Sequence, residues 1–426
     1  MAIAASPEDH SVTGSMTAST VAPAVSAPVA AGERVAVLDG IRGVAVLGIL
    51  LINIDALSGY AFTPASAHTI LRNETADAVT WFLLATLVEA KFYSLFSFLF
   101  GVGFAVFVQR ASARGADAAG LFKRRLLGLL LIGLIHTLLI WFGDILVTYA
   151  LLGFVLVPFL RRDDRSVLRW AVAMLVTPIV LYGLLFAAAG QPAQPVATDA
   201  GGELPPILAT ATQSFSHGTY LQVLSGNVVF TVANVVRRLL LMFFPRVIGM
   251  FLLGFYAGRN NVFGRIGEYR RLARNTLVIG VVIGLPLALA AYSLGDHAMG
   301  PPTTLGLLET VIKSIGVPLL ALGYAAGLWL LFSRAPHLMA LLAPVGRMAL
   351  SNYLMHSVAG VVIFYGIGFG LFGRLSLTAA VVGALGFFIL QMFLSRWWLR
   401  RARFGPAEWL WRMFTYRRRI PLFGPE

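Results

Sequence analysis

The chain has 426 residues, 58% of them hydrophobic and 12% charged, with a mean hydropathy of +0.80. A soluble domain carries about 25% charged residues, so these figures exclude a soluble fold and predict an integral membrane protein of about ten spans at roughly 20 residues each. No cysteine is present, which removes disulfides, thiolate catalysis, iron–sulfur clusters and the commonest structural zinc sites. The net charge of +14 reads first as the positive-inside bias of cytoplasmic loops, and second as attraction for lipid headgroups or a phosphorylated cosubstrate.

Residues 1–33 are rich in Ala, Ser, Thr, Val and Pro without helical periodicity, and read as a disordered cytoplasmic tail. They lack the basic stretch and apolar core of a secretory signal. The amino-terminal membrane half, residues 34–189, holds five expected spans: 37–57, 92–108 (preceded by an interfacial helix over 79–90), 126–142, 145–160 and 170–189. Residues 190–236 read as an extracytoplasmic loop, with room for an amphipathic helix in the second half. The carboxy-terminal half, 237–400, holds spans at 239–258, 276–294, 304–332, 348–371 and 377–399, before a basic cytoplasmic tail over 401–426. Arginine and lysine cluster after every second span. That alternation predicts an all-α, polytopic protein of the cytoplasmic membrane, with both termini cytoplasmic and about ten transmembrane helices around a central cavity.

The first span, VLDGIRGVAVLGILLINIDAL, carries Asp39, Arg42 and Asn53 on an otherwise apolar helix. At 100° per residue their offsets of three and eleven put them in one narrow sector. Such a stripe is costly against lipid and predicts a shielded, cavity-lining face. Asn53 lies about 16 Å along the axis from Arg42. Taken singly, Asp39 would cap the helix and pair with Arg42, and Asn53 would bond a neighbouring helix.

His136 lies well inside the third expected span, near its middle. Imidazole is the side chain that exchanges protons near neutral pH, so the functional reading is proton transfer; the plain one is a hydrogen-bonded packing residue. Asp144 follows eight residues on, about 12 Å along a continuous helix, too far for a direct dyad. It would orient a substrate or cap the next helix. At the start of the ninth span, Arg347, Ser351, Asn352 and His356 make a polar helix end at the depth of Asp39 and Arg42. Such an end suits phosphates of a cytoplasmic cosubstrate, or is a solvated start with a snorkelling arginine. Glu309–Lys313 reads as a local ion pair, and Arg246 beside Pro245 needs an acceptor, either freed backbone carbonyls or Glu89.

The segments LDGIRGVAVLGILLINI, EAKFYSLFSFLFGVGFAV, IHTLLIWFGDILVTYALLGFVL, RMALSNYLMHS, YGIGFGLFG and GPAEWLWRMFTY together resemble the YeiB-like bacterial membrane proteins, whose carboxy-terminal half is a domain of unknown function (DUF418). The first segment is also similar to the opening helix of heparan-α-glucosaminide N-acetyltransferase and the wider transmembrane acyltransferase superfamily, through L-D-x-x-R-G…N. In that relative the asparagine and a histidine of the following outer loop are associated with the active site. Asn53 matches by position. His68 lies in the corresponding loop with different spacing and neighbours, so His68 and His136 compete as the base. His356 stands where many relatives are expected to carry glutamine.

The resemblance implies acyl transfer from a cytoplasmic acyl-CoA, acetyl-CoA first among them, to an extracytoplasmic or lipid-linked acceptor, without a metal. Arg42, Asp39, Arg347, Ser351 and Asn352 are expected to bind the acyl-CoA; His136, Asn53 and Asp144 are the expected catalytic group. Expected partners are membrane lipids and a small-molecule, glycan or lipid acceptor, with no nucleic acid and room for a homodimer. The rival readings are a proton-coupled transporter of a small solute or lipid, and a non-catalytic protein of envelope biogenesis.

Overall fold

The computed structural model describes residues 36–62, 70–189, 206–240, 243–298 and 301–424. The expected amino-terminal tail, His68 and the opening of the 190–236 loop lie outside the described residues. Among the described residues the chain forms α-helices and no β-strand.

The polar-striped first span is α1 (Ala36–Leu57). The interfacial stretch becomes α2 (Glu74–Leu83), and one π turn later α3 (Lys91–Ala113) begins. α4 (Ala118–Ile135) and α5 (Leu146–Gly153) form a hairpin, followed by α6 (Asp164–Ala188). Two helices, α7 (Pro206–His217) and α8 (Tyr220–Leu240), occupy the stretch read as a loop, and lead to α9 (Phe243–Arg259). α10 (Ile266–Ile279), α11 (Leu285–Leu294) and the long α12 (Thr304–Arg334) come next. α13 (Pro336–Arg347) bends by 71° into α14 (Ala349–Phe364), and α15 (Leu377–Leu399) and α16 (Pro406–Tyr416) close the chain.

Local sequence sets the helix starts. Asp117, Asp163, Thr303 and Ser376 each precede a helix and accept the backbone N–H three residues on, at 3.0, 3.3, 3.0 and 3.2 Å. Each satisfies one orphan donor of a first turn. Six helical stretches are long and apolar enough to cross a membrane, or up to eight if two bent pairs each count as one span. The shortfall from about ten falls on α4 and α5. Lys123, Arg124 and Arg125 lie inside α4, and α5 is a short apolar helix continued by a 3-10 turn to Arg161.

The bundle is drawn together where backbones touch. A Cβ on Gly101 of α3 would run into the Phe251 carbonyl of α9, and one on Gly254 into the Phe98 carbonyl. Gly346 at the end of α13 meets the Asp39 carbonyl of α1 in the same way. Small residues permit such crossings in an apolar solvent, where packing replaces the hydrophobic drive. The contact at Gly346 seats the α13–α14 bend against the charged end of α1, and so fixes which face of α14 turns inward.

Candidate active site

Beyond Ile135 the α4 chain makes one π turn, His136–Ile140, closed by the Trp141 N–H on the His136 carbonyl at 2.8 Å. A π turn of this kind is uncommon and recurs at functional sites. It shifts the carbonyl ladder, and α8 supplies donors to it. Tyr220 donates to the Leu139 carbonyl at 2.8 Å, the Asn227 amide to Leu138 at 3.4 Å, and the Thr231 and Thr137 hydroxyls meet at 3.0 Å.

The chain then turns extended at Trp141 and reverses. The reversal brings Asp144 back over the imidazole, with Oδ1 2.8 Å from His136 Nδ1. This corrects the expectation that eight residues keep the two apart, because that distance assumed a continuous helix. Asp144 is also a cap, since its Oδ2 accepts the Val147 N–H of α5 at 2.7 Å. One carboxylate thus fixes both the turn and the ring.

The other ring nitrogen, Nε2, lies 2.8 Å from Oγ of Ser357 on α14. One helical turn earlier, Tyr353 donates to the Gly143 carbonyl at 3.3 Å, so two groups on one face of α14 grip the same reversal. Asp144, His136 and Ser357 are 4%, 0% and 1% exposed. An ionised carboxylate only accepts hydrogen bonds, so Nδ1 carries the proton and Nε2 offers its lone pair to the Ser357 O–H. Arg238 of α8 donates to the Asp144 carbonyl at 2.8 Å and to Thr148 Oγ1 at 3.0 Å, placing a positive charge beside the carboxylate. The arrangement is nucleophile, base and orienting carboxylate in line.

The other expected site residues spread over two regions. Asn53 is partly buried on α1 and makes no hydrogen bond to His136, Asp144 or Ser357. Arg42 donates to Asp39 Oδ1 at 2.6 Å, both half-buried. Arg347 ends α13 beside them. Ser351 is held by Glu408 of α16, whose Oε1 accepts the Leu350 and Ser351 N–H groups at 2.7 and 3.1 Å while Oε2 accepts the Ser351 hydroxyl at 2.5 Å. The donors expected to meet a phosphate therefore meet an internal carboxylate. Asn352 does not face that end at all. It is fully buried, with its amide on the Val345 carbonyl at 3.2 Å and Ser395 Oγ at 3.0 Å.

Elsewhere, Lys313 pairs with Glu309 at 2.5 Å. Arg246 donates to the Tyr93 hydroxyl at 3.1 Å rather than to Glu89 or a freed carbonyl. Among the described residues no group of three or more histidines and carboxylates is placed to hold a metal ion.

Sequence reasoning passed over Ser357 and Glu408. Both lie in segments already singled out, RMALSNYLMHS and GPAEWLWRMFTY. The signal for Ser357 was its i,i+4 relation to Tyr353, two polar groups on one face of an apolar helix.

A family model described as "Protein of unknown function (DUF418)" matches residues 257–418. The chain is 32% identical over 412 residues to the uncharacterized protein YxaH of Bacillus subtilis (strain 168), covering 91% of this chain and 96% of that relative. It is 33% identical over 400 residues to the uncharacterized protein YeiB of Escherichia coli (strain K12), covering 90% and 97%. The chain belongs to the YeiB-like DUF418 family. An uncharacterized 39.9 kDa protein of Bacillus acidopullulyticus is a further relative, 32% identical over 93% of this chain and 97% of its own length. No solved structure matches. This DUF418 protein is a multi-pass membrane protein, and its family match runs two residues past the end of α16, so Ser357 and Glu408 both lie within the matched region.

Proposed function

We propose that this DUF418 protein is a membrane-bound acyltransferase that moves an acyl group from acyl-CoA to a hydroxyl or amine acceptor. The observation that carries this reading is the buried Asp144–His136 pair with a hydroxyl on the free ring nitrogen. Asp144 holds the tautomer in which Nε2 is basic, and a base so placed accepts the proton of an attacking hydroxyl or amine. Burial in an apolar bundle excludes water, which favours transfer over hydrolysis.

The donor enters at the arginine-rich end, the cytoplasmic one by the charge alternation. Arg42 and Arg347, on the touching ends of α1 and α13, supply positive charge there for the CoA phosphates. The thioester arm bridges the roughly 16 Å that α1 spans between Arg42 and Asn53. Asn53, whose amide has no hydrogen bond among the described residues, donates to the oxyanion or steadies the acceptor. The acceptor arrives from the opposite end, under α7 and α8.

The test is purified protein in lipid nanodiscs with labelled acetyl-CoA. Binding together with acyl release that His136→Ala abolishes supports the reading. Full activity in both His136→Ala and Asn53→Ala sinks it, and solute flux in liposomes without acetyl-CoA binding replaces it with a carrier.

A further inference from the structure

Hydroxyls buried inside helices usually bond back to the carbonyl four residues earlier. Ser97, Thr310 and Thr415 do so here, at 2.8 Å each, while the hydroxyls of Ser94 and Ser314 have no partner among the described residues. Ser357 does neither. Its one hydrogen bond, across 221 positions of sequence, is to His136 Nε2 at 2.8 Å. The imidazole has no further lone pair, because Nδ1 is committed to Asp144. An acceptor hydroxyl could reach the base only by displacing Ser357, whereas Ser357 is already in place.

The closure of the site points the same way. The imidazole is fully buried, and Tyr353 packs against it at 5.1 Å between ring centres. Direct transfer requires donor and acceptor to be present together at that one nitrogen. A covalent intermediate lets them come one at a time, from opposite ends of the bundle.

We infer that Ser357 is the nucleophile and carries the acyl group as an ester. The inference rests on the acyltransferase reading and adds the order of events. In the first step the Ser357 proton passes to His136 Nε2 while Oγ bonds to the thioester carbonyl carbon. The tetrahedral intermediate collapses with cleavage of the carbon–sulfur bond, and the departing CoA sulfur takes the proton from Nε2. In the second step the acceptor O–H or N–H gives its proton to Nε2 and attacks the Ser357 ester. Oγ leaves and recovers the proton. Asp144 does not exchange a proton; it positions the ring.

Two measurements separate this inference from the reading beneath it. Wild-type protein in nanodiscs is given acetyl-CoA and radiolabelled CoA with no acceptor, and label entering acetyl-CoA is counted. Separately, a small alkyl fluorophosphonate, which modifies an activated serine whatever the natural donor, is located by peptide mass spectrometry. The expected result is exchange in the wild type that falls by about 10³-fold or more in Ser357→Ala and in His136→Ala. Ser357→Cys retains part of it. Phosphonylation is expected on Ser357, lost in His136→Ala and kept in His356→Ala.

Exchange at the wild-type rate in Ser357→Ala overturns the inference and leaves the acyltransferase standing. So does a wild type that binds and transfers acetyl groups yet neither exchanges CoA nor takes phosphonate on Ser357. Phosphonylation of Ser357 in a protein that neither binds nor exchanges acetyl-CoA keeps the nucleophile and overturns the acyl-CoA reading.

Discussion

Two buried histidines meet at α14, His356 as one of its residues and His136 against the next one, and they have different surroundings. His136 lies between a carboxylate and a hydroxyl. His356, next to Ser357 in sequence but on another face, gives its Nε2 proton to the Gln391 side-chain oxygen Oε1 at 2.7 Å. The Gln391 amide in turn donates to the Asn352 carbonyl at 3.2 Å, and Asn352 to Ser395 at 3.0 Å. The His356 Nδ1 has no hydrogen-bond partner among the described residues. An amide neither takes nor supplies a proton at neutral pH, so this chain of bonds ties α14 to α15 and moves no charge. A carboxylate at the same distance polarises the ring and sets which nitrogen is basic. Reactivity here follows from the partner and not from the residue type.

The comparison breaks most visibly if both histidines matter equally to transfer. His136→Ala and Ser357→Ala are each expected to lower acyl exchange by about 10⁴-fold, and the double variant by little more than either alone, because the two act as one unit. Asp144→Asn keeps the shape but also presents a donor to Nδ1, favouring the tautomer whose Nε2 is protonated; a loss of about 10³- to 10⁴-fold is expected. Because Asp144 is a positioning residue, Asp144→Asn should also lower the rate of phosphonate labelling at Ser357 without changing the affinity for CoA. A melting-temperature loss with labelling unchanged would reduce it to a helix cap. Asn53→Ala is expected to cost about 10²-fold in exchange, the scale of one oxyanion donor, with the fold intact by thermal unfolding.

Much of the bundle was legible because apolar length and arginine alternation are summed over many residues and tolerate local error. The α4–α5 pair was counted as two spans for the same reason, yet Lys123, Arg124 and Arg125 sit inside α4, α5 with its 3-10 turn is a short apolar helix, and apolarity alone does not reveal a π turn. His136 and Asp144 were legible as residues but not as a pair, since their contact depends on that turn and on the reversal after it. Ser357 shared a polar face of α14 with Tyr353, but its role was not legible because its partner lies 221 positions away. The cytoplasmic-mouth reading of Ser351 and Asn352 treated a helix start as open. Glu408 fills it from another helix, and Asn352 rotates inward to Ser395. Pairings between distant helices are set by packing, such as the Gly346–Asp39 contact, and leave no periodic trace.

The smaller effects sharpen the contrast from its inert side. His356→Gln should leave exchange within about threefold of wild type while lowering stability by about 1–2 kcal/mol, the range for one buried hydrogen-bond partner lost. Abolished exchange in a folded His356→Gln protein would reverse the assignment of the two histidines.

Glu408 extends the test to carboxylates, because unlike Asp144 it touches only backbone N–H groups and the Ser351 hydroxyl. Burial pushes its carboxyl above the ordinary value of 4.5, and the bonds from Ser351 and Leu350 oppose that shift without cancelling it. The folded chain therefore holds this proton more tightly than the unfolded chain. The stability it contributes is fully present below the unfolded value and is lost as pH rises through the folded one. Glu408→Gln has no such proton to release. Melting curves of the two proteins from about pH 4 to about pH 8 should show the wild type losing ground to Glu408→Gln as pH rises, while their exchange rates stay alike. Parallel curves would mean that the α16 carboxylate is held as firmly charged as any surface cap, and that burial at this end of α14 differs little from exposure.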